Sequence, residues 1–138
     1  MNTLANKELL QRIYAALADG DSRLFLESLA DDFRWVITGS NSWSRTYEGK
    51  HAVMTELVAV LRSKLEGRMR VSAERLIAEG DHVVVQARGN NVTRTGVPYA
   101  NSYCNIFTLR DGRIVEMVEY MDSDLALRVL GEPVAESA

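Results

Sequence analysis

The chain has one cysteine and two histidines in 138 residues, no excess of positive charge, and no apolar run approaching membrane-spanning length. Each shortage closes off a class of function. A single thiol, Cys104, leaves no internal disulfide and no cysteine-based metal site. No histidine stands near it in sequence to activate it, so it reads as a buried, inert thiol. His51 and His82 lie far apart, beside an expected helix start and a turn, with no HExxH spacing and no clustered carboxylates. Neither a metal nor a cofactor is expected. A formal net charge of −3 argues against a nucleic-acid partner, which would call for a basic face. The one basic cluster, Arg62, Lys64, Arg68 and Arg70, straddles an expected helix end, where cations suit the dipole, and reads as structural. The N-terminal stretch MNTLANKELLQRIYAAL lacks the pattern of a secretory signal, so a cytoplasmic protein without membrane association is expected.

What remains is an ordinary globular composition, 46% hydrophobic and 25% charged, long enough for one domain with a real core. Leu10, Ile13, Tyr14 and Leu17 recur at helical spacing and predict a first helix over about 5–18. Gly20 stops it, and Asp21 or Ser22 caps a short second helix carrying Leu24, Phe25 and Leu29. Phe33, Trp35 and Ile37 then alternate as a strand. Trp43 stands alone in a polar loop and is expected to fold back over something apolar. Val53, Leu57, Val60, Leu61 and Leu65 form the stripe of a third helix, expected to be the longest, which Gly67 ends. Four strand-like runs follow, over 69–78, 82–92, 99–110 and 113–121, and 124–130 reads as a closing helix. This order predicts an α+β fold: a strongly curved antiparallel or mixed sheet wrapped around a long helix, a half-barrel with a cone-shaped cavity. Residues 1–131 form the domain, and 132–138 a loose tail.

The last hairpin, YCNIFTLRDGRIVEMVEYMD, carries the most chemistry. Asp111-Gly112 between two β-rich runs is a strong two-residue turn signal. In the second run, Glu116 and Glu119 are oddly spaced, so a regular strand sends them to opposite faces. The one driven inward, with Met117 and Met121 on its face, has its neutral form favoured and its pKa raised, which suits an acid or base. A strict two-residue turn pairs Asn105 with Val118 and Cys104 with Glu119. Bringing Asn105 and Glu119 to one face requires a β-bulge.

The phrases ADGD (18–21), LADDF (29–33), YEGK (47–50), IAEGD (77–81) and the whole hairpin stand in an order that resembles the nuclear transport factor 2-like superfamily, with its cystatin-like fold. The closest likeness is to the SnoaL-like and ketosteroid isomerase-like branch. That resemblance selects Glu119 over Glu116 as the pocket carboxylate. It places Asn105 where similar polyketide cyclases have a histidine, with Glu119 or Asp122 as their acid. Tyr14 falls on the first helix, as an isomerase's oxyanion tyrosine does, while Ile37 stands where its base carboxylate is expected. Against epoxide hydrolases of this type, Arg88-Gly-Asn90 replaces an Arg-x-Asp pair, and Trp35 and Ile37 replace a water-holding Tyr and Asn.

The expected catalytic set is therefore Glu119, Asn105 and Tyr14. The expected substrate wall is Trp35, Ile37, Trp43, Leu57, Leu61, Tyr103, Met117 and Met121. The expected activity is acid–base isomerisation or cyclisation of a small apolar or polycyclic molecule without a cofactor. The alternatives are a non-catalytic binding or dimerisation module and an epoxide hydrolase-like enzyme. Asp122 reads either as an acid or as the cap of the closing helix. Strand 82–88 has apolar residues on both faces, which predicts a homodimer through the outer face of the sheet.

Overall fold

Asn2 begins the first helix, its side chain accepting from Ala5 N at 2.8 Å, and α1 runs Thr3–Ala18. The computed structural model describes residues 2–136. Leu10 and Ile13 are fully buried on the inner face of α1. A short α2 (Arg23–Ser28) leads directly into β1 (Leu29–Ile37), so Leu29 opens the strand instead of closing the helix. A three-residue strand that the sequence pattern does not reveal, β2 (Thr46–Glu48), pairs antiparallel with β1.

The third helical region runs through α3 (Lys50–Ala52), a π-helical stretch (Val53–Val58) and α4 (Ala59–Lys64). It is slightly shorter than α1, so it is not the longest helix. Leu65 lies beyond its end, in extended conformation, and bridges to Thr93.

The meander comprises β3 (Val71–Glu79), β4 (His82–Gly89), β7 (Ser102–Arg110) and β8 (Arg113–Met121). Two predicted strands are shorter than expected because β5 (Asn91–Val92) and β6 (Pro98–Tyr99) form their own ribbon. Asn91 stands at the break. Its side chain takes the Arg70 amide at 2.8 Å and gives a hydrogen bond back to the Arg70 carbonyl, which also accepts the Asn90 amide at 3.0 Å.

The main sheet has the order β2-β1-β8-β7-β4-β3, with β1 parallel to β8 and every other pair antiparallel. It remains open, a curved α+β half-barrel. α1 packs across β3 and β4, and α5 (Ser123–Leu130) closes the end. Asp122 caps α5, accepting from Leu125 N at 3.1 Å.

Asp111 and Gly112 both have positive φ, 52° and 77°, the conformation of a tight hairpin turn. One extra residue, Val115, then shifts the register. Leu109 faces Ile114 but Thr108 faces Glu116, and from there Asn105 faces Glu119.

Residues read as a tail are tied to α4. Glu136 takes Lys64 Nζ at 2.9 Å, and its amide donates to Ser63 Oγ. Residues 137 and 138 of that tail lie outside the described residues. Cys104 is half-buried on the outer sheet face, between Gln86 and Tyr120, not in the core. No helix among the described residues is long and apolar enough to cross a membrane. No group of three metal-ligating side chains occurs among them either.

Candidate functional site

Between the sheet's inner face and the helices lies a cavity of about 800 Å³. Its wall includes Tyr14 from α1, Trp35 and Ile37 from β1, Leu57 and Leu61 from the π-helical stretch and α4, Tyr103 and Asn105 from β7, and Glu119 and Met121 from β8. Trp43 reaches it from the loop after β1. Its indole N–H donates to the Gly131 carbonyl at 2.7 Å, fastening that loop to the end of α5.

Ten of the eleven expected residues line the cavity, and Met117 does not. Met117 shares a face with Glu119, but it pairs with Phe107 and Trp35 one step down the ladders. There the Tyr14 ring packs edge-on against Phe107, the space is filled, and Met117 becomes core. Asp122 is engaged as a helix cap. Arg88 is exposed, bonded to Ser102, and lies outside the lining, as does Asn90. The positions matched to the epoxide hydrolase Arg-x-Asp therefore do not reach the cavity, and the Arg–carboxylate pair that does line it, Arg23–Asp21, lies at the start of α2.

Glu119 is only 7% exposed and faces the cavity. Burial disfavours its ionised form and pushes its pKa from 4.5 up to about 7. The Trp35 indole N–H is near enough to stabilise the carboxylate and oppose that rise. The pair nevertheless falls short of hydrogen-bond geometry, so Trp35 Nε1 is a buried donor without a partner. No side-chain hydrogen bond or ion pair engages the Glu119 carboxyl among the described residues. Glu116, on the opposite face, pairs with Arg34 at 3.1 Å in partial solvent.

Asn105 Nδ2 donates to Tyr14 Oη at 3.0 Å, while Asn105 Oδ1 is buried and unpaired. Burial pushes the Tyr14 hydroxyl well above its ordinary pKa, and the nearby Glu119 charge adds to this. Tyr14 therefore stays protonated. Tyr99 and Tyr103 also line the wall, and burial raises both, although the Tyr103 ring keeps some solvent contact. The cavity thus joins an apolar interior to one acid of near-neutral pKa, a phenol donor, an indole donor and an amide acceptor.

Sequence reasoning missed Tyr99, on the small ribbon, and Arg23 and Arg94, and it read Arg62 and Arg68 as structural, although all four arginines contribute to the lining. Arg23 and Arg94 come from segments distant in sequence, and no local pattern brings them to the other two.

The sequence matches the family pattern described as a SnoaL-like domain over residues 10–117, ending just short of Glu119. No protein of curated function matches the chain. Among solved structures, a candidate SnoaL-like polyketide cyclase from Jannaschia superposes with a TM-score of 0.73 at 22% identity, covering 96% of this chain and 95% of its own. TerC, co-crystallised with polyporic acid, gives 0.75 at 25% identity over 91% of this chain and 98% of its own. A protein of ketosteroid isomerase-like fold from Catenulispora acidiphila, in complex with trimethylamine, gives 0.71 at 19% identity over 91% and 94%. With the nuclear transport factor 2-like fold around its cavity, this chain belongs to the SnoaL-like domain family.

Proposed function

We propose that the protein is a cofactor-independent isomerase or cyclase that moves a proton at a carbon next to a carbonyl. The observation that carries this reading is the isolated Glu119 carboxyl, buried against the cavity without a cationic partner. A structural carboxylate at this depth would be paired with an arginine. A base needs a pKa near the working pH, and about 7 meets that need.

In this reading the Glu119 carboxylate takes a proton from the α-carbon. The C–H electron pair moves into an enolate, whose oxygen accepts a hydrogen bond from the Tyr14 hydroxyl. Asn105 holds that phenol by donating to its oxygen, which leaves the phenol proton to face the substrate. Trp35 N–H steadies the ionised base. Return of the proton from Glu119 to a different carbon shifts a double bond. Attack of the enolate carbon on a second carbonyl instead closes a ring, and Glu119 protonates the resulting alkoxide. The apolar wall of Trp43, Leu57 and Leu61 excludes water and suits a ring-shaped substrate. That TerC, of the same fold, was co-crystallised with polyporic acid supports a small organic ligand here.

The test is deuterium exchange at the α-carbon of a series of β,γ-unsaturated cyclic ketones in D2O, followed by NMR. The wild type should exchange or isomerise at least one of them, and Glu119→Gln should not. Equal exchange by the two proteins would overturn the reading.

A further inference from the structure

Four arginines from four separate segments meet at the open end of the cavity. Arg23 begins α2, Arg62 lies on α4, Arg68 follows that helix, and Arg94 stands in the β5–β6 turn. All four are exposed while contributing to the lining, so they form its rim. The chain as a whole is acidic, with a net charge of −3, so this concentration does not follow from composition.

Only Arg23 is locally neutralised. Asp21 takes it in a two-pronged pair, Nε at 3.1 Å and Nη2 at 2.9 Å. The hydrogen bonds from Arg23 hold the Asp21 carboxyl below its ordinary range, and the charge of Arg68 adds a smaller part. Arg62, Arg68 and Arg94 have no carboxylate within ion-pair distance among the described residues. Helix-end stabilisation accounts for Arg62, in the last turn of α4, but not for Arg68 or Arg94 in loops.

Two of these side chains are held in place. Arg94 Nη2 donates to the Arg62 carbonyl at 3.0 Å, which draws the β5–β6 turn towards the end of α4. The Arg68 stem lies across Gly20, where an added Cβ would come within 2.9 Å of Arg68 Cβ. With φ at +80°, Gly20 both turns the chain after α1 and leaves the gap that Arg68 fills.

We propose that the natural ligand is an organic anion, with an apolar ring body inside the cavity and a carboxylate held at the rim by Arg62, Arg68 and Arg94. This rests on the pocket reading above and adds a substrate class to it. Guanidinium groups match the planar geometry of a carboxylate, and a cluster of them at an opening draws anions in. The same arrangement orients the ligand. With its charge fixed at the mouth, the opposite, carbonyl-bearing end reaches Glu119, and the two like charges stay apart.

The test uses pyrenebutyrate and its methyl ester, which share a ring system and differ in charge. Energy transfer from Trp35 and Trp43 to pyrene reports binding. At low salt the acid should bind about tenfold more tightly than the ester, since several part-exposed pairs act together, and added salt should shrink the gap. The Arg68→Gln/Arg94→Gln double variant should bind the acid as weakly as the ester, with ester affinity unchanged. Glu119→Gln should keep the preference for the acid, because that carboxyl is buried while the rim arginines are exposed. Equal affinity of the wild type for both probes overturns the rim assignment alone, as does a preference that survives the double substitution. Failure of both probes to bind overturns the pocket reading together with it.

Discussion

Asn105 Nδ2 donates to Tyr14 Oη at 3.0 Å across 91 positions of the chain, joining α1 to β7 inside the cavity. Both residues are buried, so neither polar group has water to fall back on. The direction of the bond matters as much as its existence. A phenol oxygen that accepts from an amide keeps its own proton, and a phenol whose pKa is raised by burial does not lose that proton at neutral pH. One contact therefore holds the first helix on the sheet and aims a donor into the site.

Asn105→Leu keeps the branching and the number of side-chain heavy atoms but leaves the Tyr14 oxygen without its donor. The expected loss of stability is about 1–3 kcal/mol, the cost of stranding a buried polar atom. Urea unfolding measures it, and an unchanged midpoint would show that the bond contributes nothing. Exchange activity should fall as well, because the phenol loses its orientation.

The Glu119 carboxyl titrates near 7 in the folded protein, against 4.5 in its ordinary state. Between those values the folded chain keeps a proton that the unfolded chain has released. Stability therefore falls as pH rises through that window, and below it the effect vanishes. Above it the whole penalty, on the order of 3 kcal/mol, is in place. Glu119→Gln should thus be more stable than the wild type at about pH 8 and close to it at about pH 4. Denaturant midpoints at both pH values decide this, and a difference that does not change with pH refutes it. Activity should run the other way in the wild type, rising with pH as the base ionises around 7.

Glu116→Gln is the matched control. Glu116 meets Arg34 at 3.1 Å in partial solvent on the outer face. Its loss should cost less than about 1 kcal/mol and leave exchange untouched. A large loss of activity in this variant would contradict the assignment of Glu119 as the inward carboxylate.

Much of the fold was legible because periodicity and turn chemistry are local. Leu10 and Ile13 mark α1, and Asp111-Gly112 marks the hairpin, without reference to anything distant. The inward direction of Glu119 was also accessible, by parity and resemblance together. Its partner across the ladder was not. A regular turn puts Cys104 opposite Glu119, and only the extra residue Val115 brings Asn105 there. Whether a strand bulges depends on how its apolar face meets the helices, which no hairpin sequence contains. Met117 shows the same limit: parity puts it on the pocket face, yet Phe107 and Tyr14 close the space beside it. Arg62 and Arg68 were read as part of a helix-end cluster because α4 is local, and the β5–β6 turn that brings Arg94 beside it is not.

Trp43 is 1% exposed and holds Gly131 at 2.7 Å, so it joins the loop after β1 to the closing helix. Trp43→Phe should cost about 1–3 kcal/mol by stranding the carbonyl. Trp43→Ala should cost about 3–5 kcal/mol through the cavity it leaves. Thermal unfolding of the two variants separates the bond from the packing. Equal losses would mean that the packing adds nothing beyond the bond, and a Trp43→Phe variant as stable as the wild type would mean that the bond adds nothing.

The outer sheet face carries a row of aliphatic side chains in one register. Ile77 faces Val84, Val84 faces Ile106, Ile106 faces Val118, and Val118 faces Val36 on β1. Ile77 is 55% exposed and Tyr120, near the row, 48%. A continuous apolar band across five strands costs solubility unless it is covered. A second copy covers it most simply, because a two-fold axis through the sheet lays the row against itself. We therefore expect a homodimer. Sedimentation at micromolar concentration should give a two-chain species for the wild type. Ile106→Lys, which puts two charges at the middle of the paired rows, should give a single chain with an unchanged circular dichroism spectrum. The cavity lies on the other face of the sheet, so the monomeric variant should still bind pyrenebutyrate. A wild type that stays monomeric at the highest concentration reached would sink the proposal, and so would an Ile106→Lys variant that sediments as two chains.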